Sequence, residues 1–203
     1  MKLLSQSHSP YARKVVVVAH ELGCDDIEIE HQETSPTNPN PVVSAANPLG
    51  KVPVLLTDNG AIYDSGVICA YLCHLKSDSR ILPSAFDARI RALRLQALAD
   101  DLCATGIAAR WETERRPENL RYPLLRDGLL DKLAASFAYL EDHTPSEDDV
   151  TVGTIALACA LDWLAFRGMA VDPARHPKLS VWLNQFIDRP SMRASQFEGE
   201  TVD

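Results

Sequence analysis

Over the first 80 residues of this chain, short apolar runs alternate with segments in which apolar residues recur at helical spacing. Runs typical of strands occupy four segments, residues 2–5, 27–30, 52–56 and 61–63. Apolar residues at helical spacing follow Ser9 and Asp64, and they predict helices over residues 10–22 and 65–76. Residues 34–48 hold four prolines and three asparagines, which predicts mostly loop. The order of elements therefore predicts a small mixed sheet with helices packed against it.

The pattern becomes helical throughout after residue 84. The predicted helices run from about residue 90 to 116 and over residues 124–140, 151–166 and 179–187. Pro117 interrupts the first of these helices and Pro190 stops the last. The change near residues 77–85 predicts two domains, an α/β domain over residues 1–78 and an all-helical domain over residues 84–203.

Composition excludes several classes of partner. The net charge of −8 is spread over both predicted domains, and no basic stripe stands out that would favour nucleic acid or an anionic membrane surface. No apolar run approaches the roughly 20 residues that span a bilayer, and the first residues lack a signal-peptide pattern. We therefore expect a cytoplasmic protein that binds neither nucleic acid nor membranes.

The five cysteines do not predict a disulfide framework or a metal site. Their number is odd, their spacing is wide, and no C-x-x-C pattern occurs. Cys69 and Cys73 lie four residues apart on a predicted helix and share one face. We expect all five side chains to be small buried hydrophobic groups.

The segment from Asn47 to Ser65 is the most unusual part of the chain. Pro53 lies in the strand-like run 52–56, where a proline donates no hydrogen bond to a sheet. A proline at a strand start after a polar turn predicts a cis peptide bond. This geometry would expose the Val52 amide and carbonyl to an extended peptide ligand. Asp64 and Ser65, at a predicted helix start, would hold the other end of that ligand.

Ser9 and Pro10 predict the start of the first helix. Serine is a favoured N-cap and proline a favoured first helical residue. Backbone N–H groups without partners, a positive dipole end and a hydroxyl meet at such a position. These groups favour an anion, including a thiolate.

The motifs together resemble the cytosolic glutathione S-transferase family. The resemblance rests on Ser9-Pro10-Tyr11-Ala12-Arg13-Lys14-Val15, on the segment from Asn47 to Leu55, on Asp64-Ser65, and on the apolar segment from Thr151 to Phe166. The sequences of these motifs are most similar to those of a bacterial branch of the family that includes the YibF-type proteins. The resemblance covers nearly the whole chain, and it implies a thioredoxin-like N-terminal domain followed by an all-α domain. One departure is Thr154, where many members carry Asp in the capping box that begins at Thr151.

The resemblance implies glutathione as co-substrate and assigns residues to it. Val52 and Pro53 would contact its peptide backbone, Ser65 its γ-glutamyl carboxylate and Asp64 its ammonium group. Lys51 would reach the glycyl carboxylate, with a solvated surface lysine as the alternative. Family analogy places Asp100 against the glutathione of a neighbouring subunit, and it implies a homodimer.

Thiol activation is the chemistry that the resemblance implies for Ser9. The thiolate is the nucleophile, so a transferase must lower a thiol pKa of roughly 8.5. A serine at this position excludes a mixed disulfide with the protein there, which argues against glutaredoxin-type reduction. Ser5, Ser7 and Tyr11 remain alternative hydroxyls, a simple N-cap remains the alternative role for Ser9, and we expect His8 to be a loop residue rather than a base.

The second substrate is a small hydrophobic electrophile in this interpretation. Tyr11, Arg110 and Trp111 are candidates to line its pocket, together with the C-terminal tail from Met192 to Asp203, although packing or solvation is an alternative role for Arg110 and Trp111. Conjugation, reductive dehalogenation and peroxide reduction are all compatible with a catalytic hydroxyl. The competing hypotheses are a non-catalytic glutathione-binding or interaction protein and a structural subunit that binds no glutathione.

Overall fold

The computed structural model describes residues 1–24 and 26–197. One four-stranded sheet contains β1 (Lys2–Ser5), β2 (Glu28–His31), β3 (Val54–Thr57) and β4 (Gly60–Ile62). The α-helices in the described ranges are α1 (Pro10–Glu21), α2 (Pro41–Ala46), α3 (Ser65–Leu75), α4 (Phe86–Arg110), α5 (Pro123–Asp142), α6 (Val152–Phe166), α7 (Pro177–Ile187) and α8 (Pro190–Arg193). None of these helices combines the length and apolar character that crossing a bilayer requires.

The sheet has the strand order β2-β1-β3-β4. β1 is parallel to β2 and antiparallel to β3, and β3 is antiparallel to β4. Leu3 and Leu55, which are opposite each other in the register, are both buried under the helices. The predicted thioredoxin-like α/β unit, followed by helices only, is therefore confirmed. The predicted domain boundary falls in the connection between α3 and α4.

The prediction of mostly loop over residues 34–48 is wrong for α2. The Asn40 side chain caps this helix by accepting hydrogen bonds from the Val42 and Val43 amides over 2.9 and 3.4 Å. Pro41 occupies the first helical position, which its fixed φ suits. Val43 is fully buried, and burial of this apolar side chain stabilises a helix that is too short to show a helical period in the sequence.

Two of the predicted helix ends also differ. Regular α4 ends at Arg110, and residues Trp111–Arg115 form a π-helical turn before Pro117. Pro190 follows the end of α7 but also opens α8, because a proline that cannot continue one helix suits the first turn of the next.

Helix α6 is the buried centre of the helical domain. Thr151 and Thr154 form the capping box, since the Thr151 amide donates to the Thr154 hydroxyl over 2.8 Å and the Thr154 amide donates back over 3.4 Å. Threonine thus replaces the acidic residue of the usual pattern. Gly153 lies so close to α4 that a Cβ there would approach the Ala92 carbonyl oxygen to 2.4 Å. A side chain at residue 153 would push the two helices apart.

Helix α1 is joined to the helical domain by buried charges. The Lys14 ammonium group, whose side chain is 1% exposed, lies 2.7 and 2.8 Å from the two carboxylate oxygens of Asp100 in α4. The buried Arg13 guanidinium donates to Asp162 in α6. Isolated buried charges are costly, so these pairs restrict α1 to one position against the helical domain.

The end of α1 carries a third charged contact. Arg189 and the Ser191 hydroxyl donate to the Glu21 carboxylate over 3.0 and 2.5 Å. Burial alone would raise the pKa of Glu21, but these hydrogen bonds and the arginine charge outweigh it and hold the pKa below its usual range. The contact therefore stabilises the fold above the ordinary glutamate pKa, and this contribution is lost as the pH falls through the lowered value.

All five cysteines are buried, as predicted. Burial raises the pKa of Cys69 and of Cys159 to about 12 and that of Cys73 to about 11. It also raises the pKa of Cys103 well above its usual range. These thiols are therefore neutral near pH 8 and are shielded from solvent.

The Lys14–Asp100 pair predicts an asymmetric effect on stability. Asp100→Asn keeps the shape of the side chain but leaves the Lys14 ammonium buried without a counter-charge, so we expect a loss of about 3 kcal/mol in the free energy of unfolding. Urea unfolding followed by circular dichroism measures it. Adding Lys14→Met to the Asp100→Asn variant should recover most of the loss. A free energy of unfolding of Asp100→Asn within about 0.5 kcal/mol of the wild-type value is typical of a surface substitution, and it would contradict the buried Lys14–Asp100 pair.

Burial of the thiols predicts slow modification. We expect the native protein at pH 8 to react slowly with a disulfide reagent at all five cysteines, and to react rapidly at all five in guanidinium chloride. The absorbance of the released chromophore measures both rates. Rapid reaction of even one thiol in the native protein would contradict the burial described here.

Candidate functional site

Three segments of the α/β domain meet at one end of the sheet. β1 runs antiparallel to β3, and Leu4 is paired with Val54, so the loop after β1 lies beside the start of β3. β4 is also antiparallel to β3, and Leu55 is paired with Ile62, so the residues after β4 reach the same end. The loop that leads to Ser9, the Val52–Pro53 segment and the Asp64–Ser65 segment are therefore neighbours.

Val52 presents an unused main-chain donor and acceptor at this end of the sheet. The Val52–Pro53 peptide bond is cis, as predicted, and the ladder of β3 begins only at Val54. Within residues 1–24 and 26–197, neither the Val52 N–H nor its carbonyl takes part in a backbone hydrogen bond. An extended peptide placed along this edge would find one donor and one acceptor on the same residue.

Asn47 holds the turn that precedes Val52. Its buried side-chain amide donates to the Lys51 carbonyl over 2.8 Å, and its side-chain oxygen accepts from the Leu49 amide over 3.0 Å. Gly50 completes the turn with φ +61°, which an L side chain adopts only with strain. Asn47 belongs to one of the motifs that carry the family resemblance, but this role was not predicted for it. The Asn-Pro-x-Gly pattern, which favours a tight turn, was the available signal.

Asp64 and Ser65 occupy the start of α3 as predicted. The Asp64 carboxylate caps the helix by accepting from the Gly66 and Val67 amides over 3.0 and 3.4 Å. Ser65 is buried at the first helical position, and no residue of the described chain forms a hydrogen bond with its hydroxyl. A small anion near Ser65 would meet this hydroxyl and the positive end of the helix dipole.

The start of α3 is placed against the helical domain by Gln96. A Cβ added at Gly66 would lie 2.5 Å from the Gln96 Nε2, so a side chain at residue 66 would displace the end of the Gln96 side chain. Gln96 also lies 3.5 Å from the Asp100 carboxylate, which is bound to Lys14. The Ser65 end of the site is thus connected to the buried charges of α1, and the sequence carried no signal for Gln96.

Ser9 is the N-cap of α1, as predicted. Its hydroxyl oxygen accepts from the Ala12 amide over 3.2 Å, and its own amide donates to the Gln6 carbonyl over 3.0 Å. The Ser9 side chain is partly exposed. Its hydroxyl hydrogen remains available to a ligand, since in this contact the oxygen acts only as acceptor.

The three alternative hydroxyls differ from Ser9 in their surroundings. The Tyr11 hydroxyl donates to the Asp100 carbonyl over 3.0 Å, and burial, together with nearby acidic groups, raises the pKa of Tyr11 far above its usual range. Ser5 is buried at the end of β1, and Ser7 is exposed in the loop. The Tyr11 hydroxyl hydrogen is thus used in a hydrogen bond to α4, whereas the Ser9 hydroxyl hydrogen remains available to a ligand.

The remaining predicted site residues lie in varied surroundings. Lys51 is exposed beside Val52. At the end of α4, Arg110 is buried and pairs with Glu114 over 3.1 Å, while Trp111 lies under the Arg115 guanidinium. Asp100 faces Lys14 of its own chain, and about a third of its side chain remains exposed. Roles for Arg110, Trp111 and Tyr11 in a second-substrate pocket, and for Asp100 across a dimer, stay predictions.

The C-terminal tail is described only as far as Phe197. Phe197 stacks on Phe166 with ring centroids 5.4 Å apart, and Phe166 lies 5.0 Å from the ring of His8. The tail therefore packs beside the loop that leads to Ser9. Residues 198–203, the rest of the predicted pocket segment, lie outside the described residues.

Comparisons with known proteins match this arrangement. A family model described as the N-terminal domain of glutathione S-transferases matches residues 8–75. The uncharacterized GST-like protein YibF of Escherichia coli (strain K12) is 33% identical over 174 residues, which cover 84% of this chain and 85% of YibF. The predicted similarity to YibF-type proteins is therefore confirmed.

A solved structure and a second curated relative extend the comparison. A glutathione transferase family member from Pseudomonas fluorescens Pf-5, with bound glutathione, aligns with a TM-score of 0.91 at 33% identity, over 98% of this chain and 99% of that chain. Elongation factor 1-gamma 3 of Oryza sativa subsp. japonica is 28% identical over 158 residues, which are 74% of this chain and 37% of that protein. The chain described here belongs to the glutathione S-transferase family.

Proposed function

We propose that this protein is a glutathione transferase that binds glutathione across the sheet end and activates its thiol. The observation that carries the proposal is the unused donor and acceptor of Val52, which lies between two helix starts that each offer a serine. Glutathione is an extended tripeptide with a carboxylate at each end and a thiol in the middle. Its functional groups therefore match the order of groups along the site.

The main chain of the glutathione cysteine binds Val52 in this proposal. One hydrogen bond is donated by the Val52 amide and one is accepted by its carbonyl, as in the addition of a strand to a sheet edge. The γ-glutamyl carboxylate binds the hydroxyl and amide of Ser65, with Asp64 near the ammonium group. Lys51 meets the glycyl carboxylate at the exposed end of the site.

The thiol of the bound glutathione then lies at the start of α1. The Ser9 hydroxyl donates a hydrogen bond to the sulfur, and the positive end of the helix dipole favours its negative charge. Both interactions are stronger for the thiolate than for the thiol, so they lower the pKa of the thiol. The thiol proton passes to solvent, and the thiolate sulfur forms a bond to the electrophilic carbon of a small hydrophobic substrate. The electron pair of the bond broken at that carbon departs with the leaving group, or, in an addition, takes up a proton from solvent. The conjugate is the product, and this reaction suits detoxification in the cytoplasm.

One alternative is a glutathione-binding protein that does not turn over. It is favoured by the contact between Ser9 and the Ala12 amide, which is the contact of an ordinary helix cap. The similarity to elongation factor 1-gamma 3 is compatible with the same interpretation. The alternative predicts tight glutathione binding, an unaltered thiol pKa and no turnover with any electrophile.

We further propose that the protein is a homodimer through α3 and α4. Phe86, Ile90 and Leu93 follow one another on one side of α4, and all three are exposed in the isolated chain. Val67 of α3 is also exposed. An uncovered apolar face of this kind is costly in water and suits a second copy of the chain.

Substitution of the two serines separates binding from activation. We expect Ser65→Ala to weaken glutathione binding about tenfold, because a hydrogen bond to a carboxylate is lost. We expect Ser9→Ala to bind glutathione almost normally but to return the pKa of its thiol towards about 8.5. Calorimetry measures the affinity, and thiolate absorbance against pH measures the pKa.

Ser7→Ala is the matched control for both variants, because Ser7 lies exposed in the same loop as Ser9. It should change neither quantity. Unaltered affinity in Ser65→Ala would contradict the proposed ligand orientation. An unaltered thiol pKa in Ser9→Ala, with glutathione still bound, would favour the non-catalytic alternative.

The dimer is tested by charge substitution on α4. We expect wild type to sediment as a dimer at low micromolar concentration and Ile90→Glu to sediment as a monomer, because a carboxylate would be buried in the interface. Leu124→Glu is the control, since Leu124 is an exposed leucine on α5. Wild type that sediments as a monomer, or an Ile90→Glu variant that stays dimeric, would contradict this interface.

A further inference from the structure

One indole of the helical domain holds the loop that leads to Ser9. The Trp163 side chain of α6 is buried, and its Nε1–H donates to the main-chain carbonyl of His8 over 3.0 Å. His8 immediately precedes Ser9, so this hydrogen bond holds the carbonyl side of the peptide unit between them, while the Ser9 amide donates to the Gln6 carbonyl. The helical domain therefore helps to set the direction in which the Ser9 backbone leaves the loop.

Packed aromatic rings support the same loop. The His8 ring lies on Phe166, one helical turn after Trp163, with centroids 5.0 Å apart. Phe197 of the C-terminal tail also stacks on the Phe166 ring, with centroids 5.4 Å apart. The Arg13 guanidinium lies 4.4 Å from the Phe197 ring. The loop before Ser9 thus continues into a row of packed rings that ends on α1.

Arg13 fixes the chain on the other side of Ser9. Its guanidinium donates to Asp162, to the Met192 carbonyl over 3.2 Å and to the Ser195 hydroxyl over 3.3 Å. Asp162 and Trp163 are consecutive residues of α6. Ser9 therefore lies between two anchors, one residue before it and four residues after it, and a single turn of α6 holds both.

We propose that Trp163 is a positioning residue that sets the Ser9 hydroxyl for the glutathione sulfur. The inference rests on the function proposed above, because it concerns the same serine. A hydroxyl lowers a thiol pKa only while it is directed at the sulfur, since hydrogen bonds weaken steeply with misalignment. Without the Trp163 bond, the His8 carbonyl loses its contact with α6, although the Ser9 amide still donates to the Gln6 carbonyl. The Ser9 hydroxyl is then held less firmly towards the sulfur, and the thiolate loses part of its stabilisation.

Two tryptophan variants give a matched comparison. Trp163→Phe keeps an aromatic ring and removes the N–H. Trp182→Phe is the same change at a buried tryptophan of α7, and in the described chain its Nε1 has no hydrogen-bond partner. The readouts are the pKa of bound glutathione from thiolate absorbance, the kcat/KM with a chromogenic electrophile, and amide hydrogen exchange at Ala12, which donates to Ser9.

For Trp163→Phe we expect a higher pKa of the bound thiol, about a fivefold loss of kcat/KM and faster exchange at Ala12. The KM for glutathione should change little, because Val52 and Ser65 hold the peptide. Trp182→Phe should leave all four quantities unchanged. Phe166→Leu, at an exposed residue, removes the ring that packs against both His8 and Phe197, and it should shift the thiol pKa in the same direction. It provides the test if Trp163→Phe does not fold.

The outcomes separate this inference from the proposed function. If Ser9→Ala raises the pKa of the bound thiol but Trp163→Phe and Phe166→Leu do not, the positioning role is overturned and the function stands. If Ser9→Ala also leaves that pKa unchanged, the proposed function fails. The rate of amide exchange at Ala12 then tests whether Trp163 positions the loop. Exchange that is faster in Trp163→Phe than in Trp182→Phe supports positioning of the loop, and equal rates overturn it.

Discussion

Buried positive charge on α1 is the constraint on which the rest of the structure depends. Lys14 and Arg13 are adjacent, both are buried, and each has its carboxylate partner on a different helix of the second domain. Removing either pair from water is costly, and only a close geometry repays that cost. One position of α1 against α4 and α6 satisfies both pairs, so the charges specify how the two domains meet rather than simply adding stability.

The candidate site follows from that position. Ser9 lies at the first turn of α1, so the placement of Lys14 and Arg13 also places the hydroxyl. The start of α3 is fixed from the same region, because Gln96 contacts both Gly66 and the Asp100 carboxylate. The sheet contributes Val52, whose free donor and acceptor lie between the two helix starts. A site made from three chain segments thus depends on the second domain for its precision.

The features that were predictable from the sequence are local. The strands, the N-caps Ser9 and Asp64, and the cis bond at Pro53 each depend on a few neighbouring residues, and the structure contains all of them. The burial of Lys14 was not predictable, because its partner lies 86 residues away and a lysine on a helix usually faces water. The Trp163–His8 bond spans 155 residues. Helix α2 was not predictable from the sequence, because Asn40-Pro41 suits a turn as well as a helix start.

Calorimetric titration of glutathione into the wild-type protein at pH 7, repeated in two buffers with different ionisation enthalpies, tests the central claim most directly. The difference between the two heats gives the number of protons released on binding. The account predicts binding with release of a proton, because a site that stabilises the thiolate takes up glutathione in its deprotonated form. Binding without proton release, or no binding at all, would contradict it.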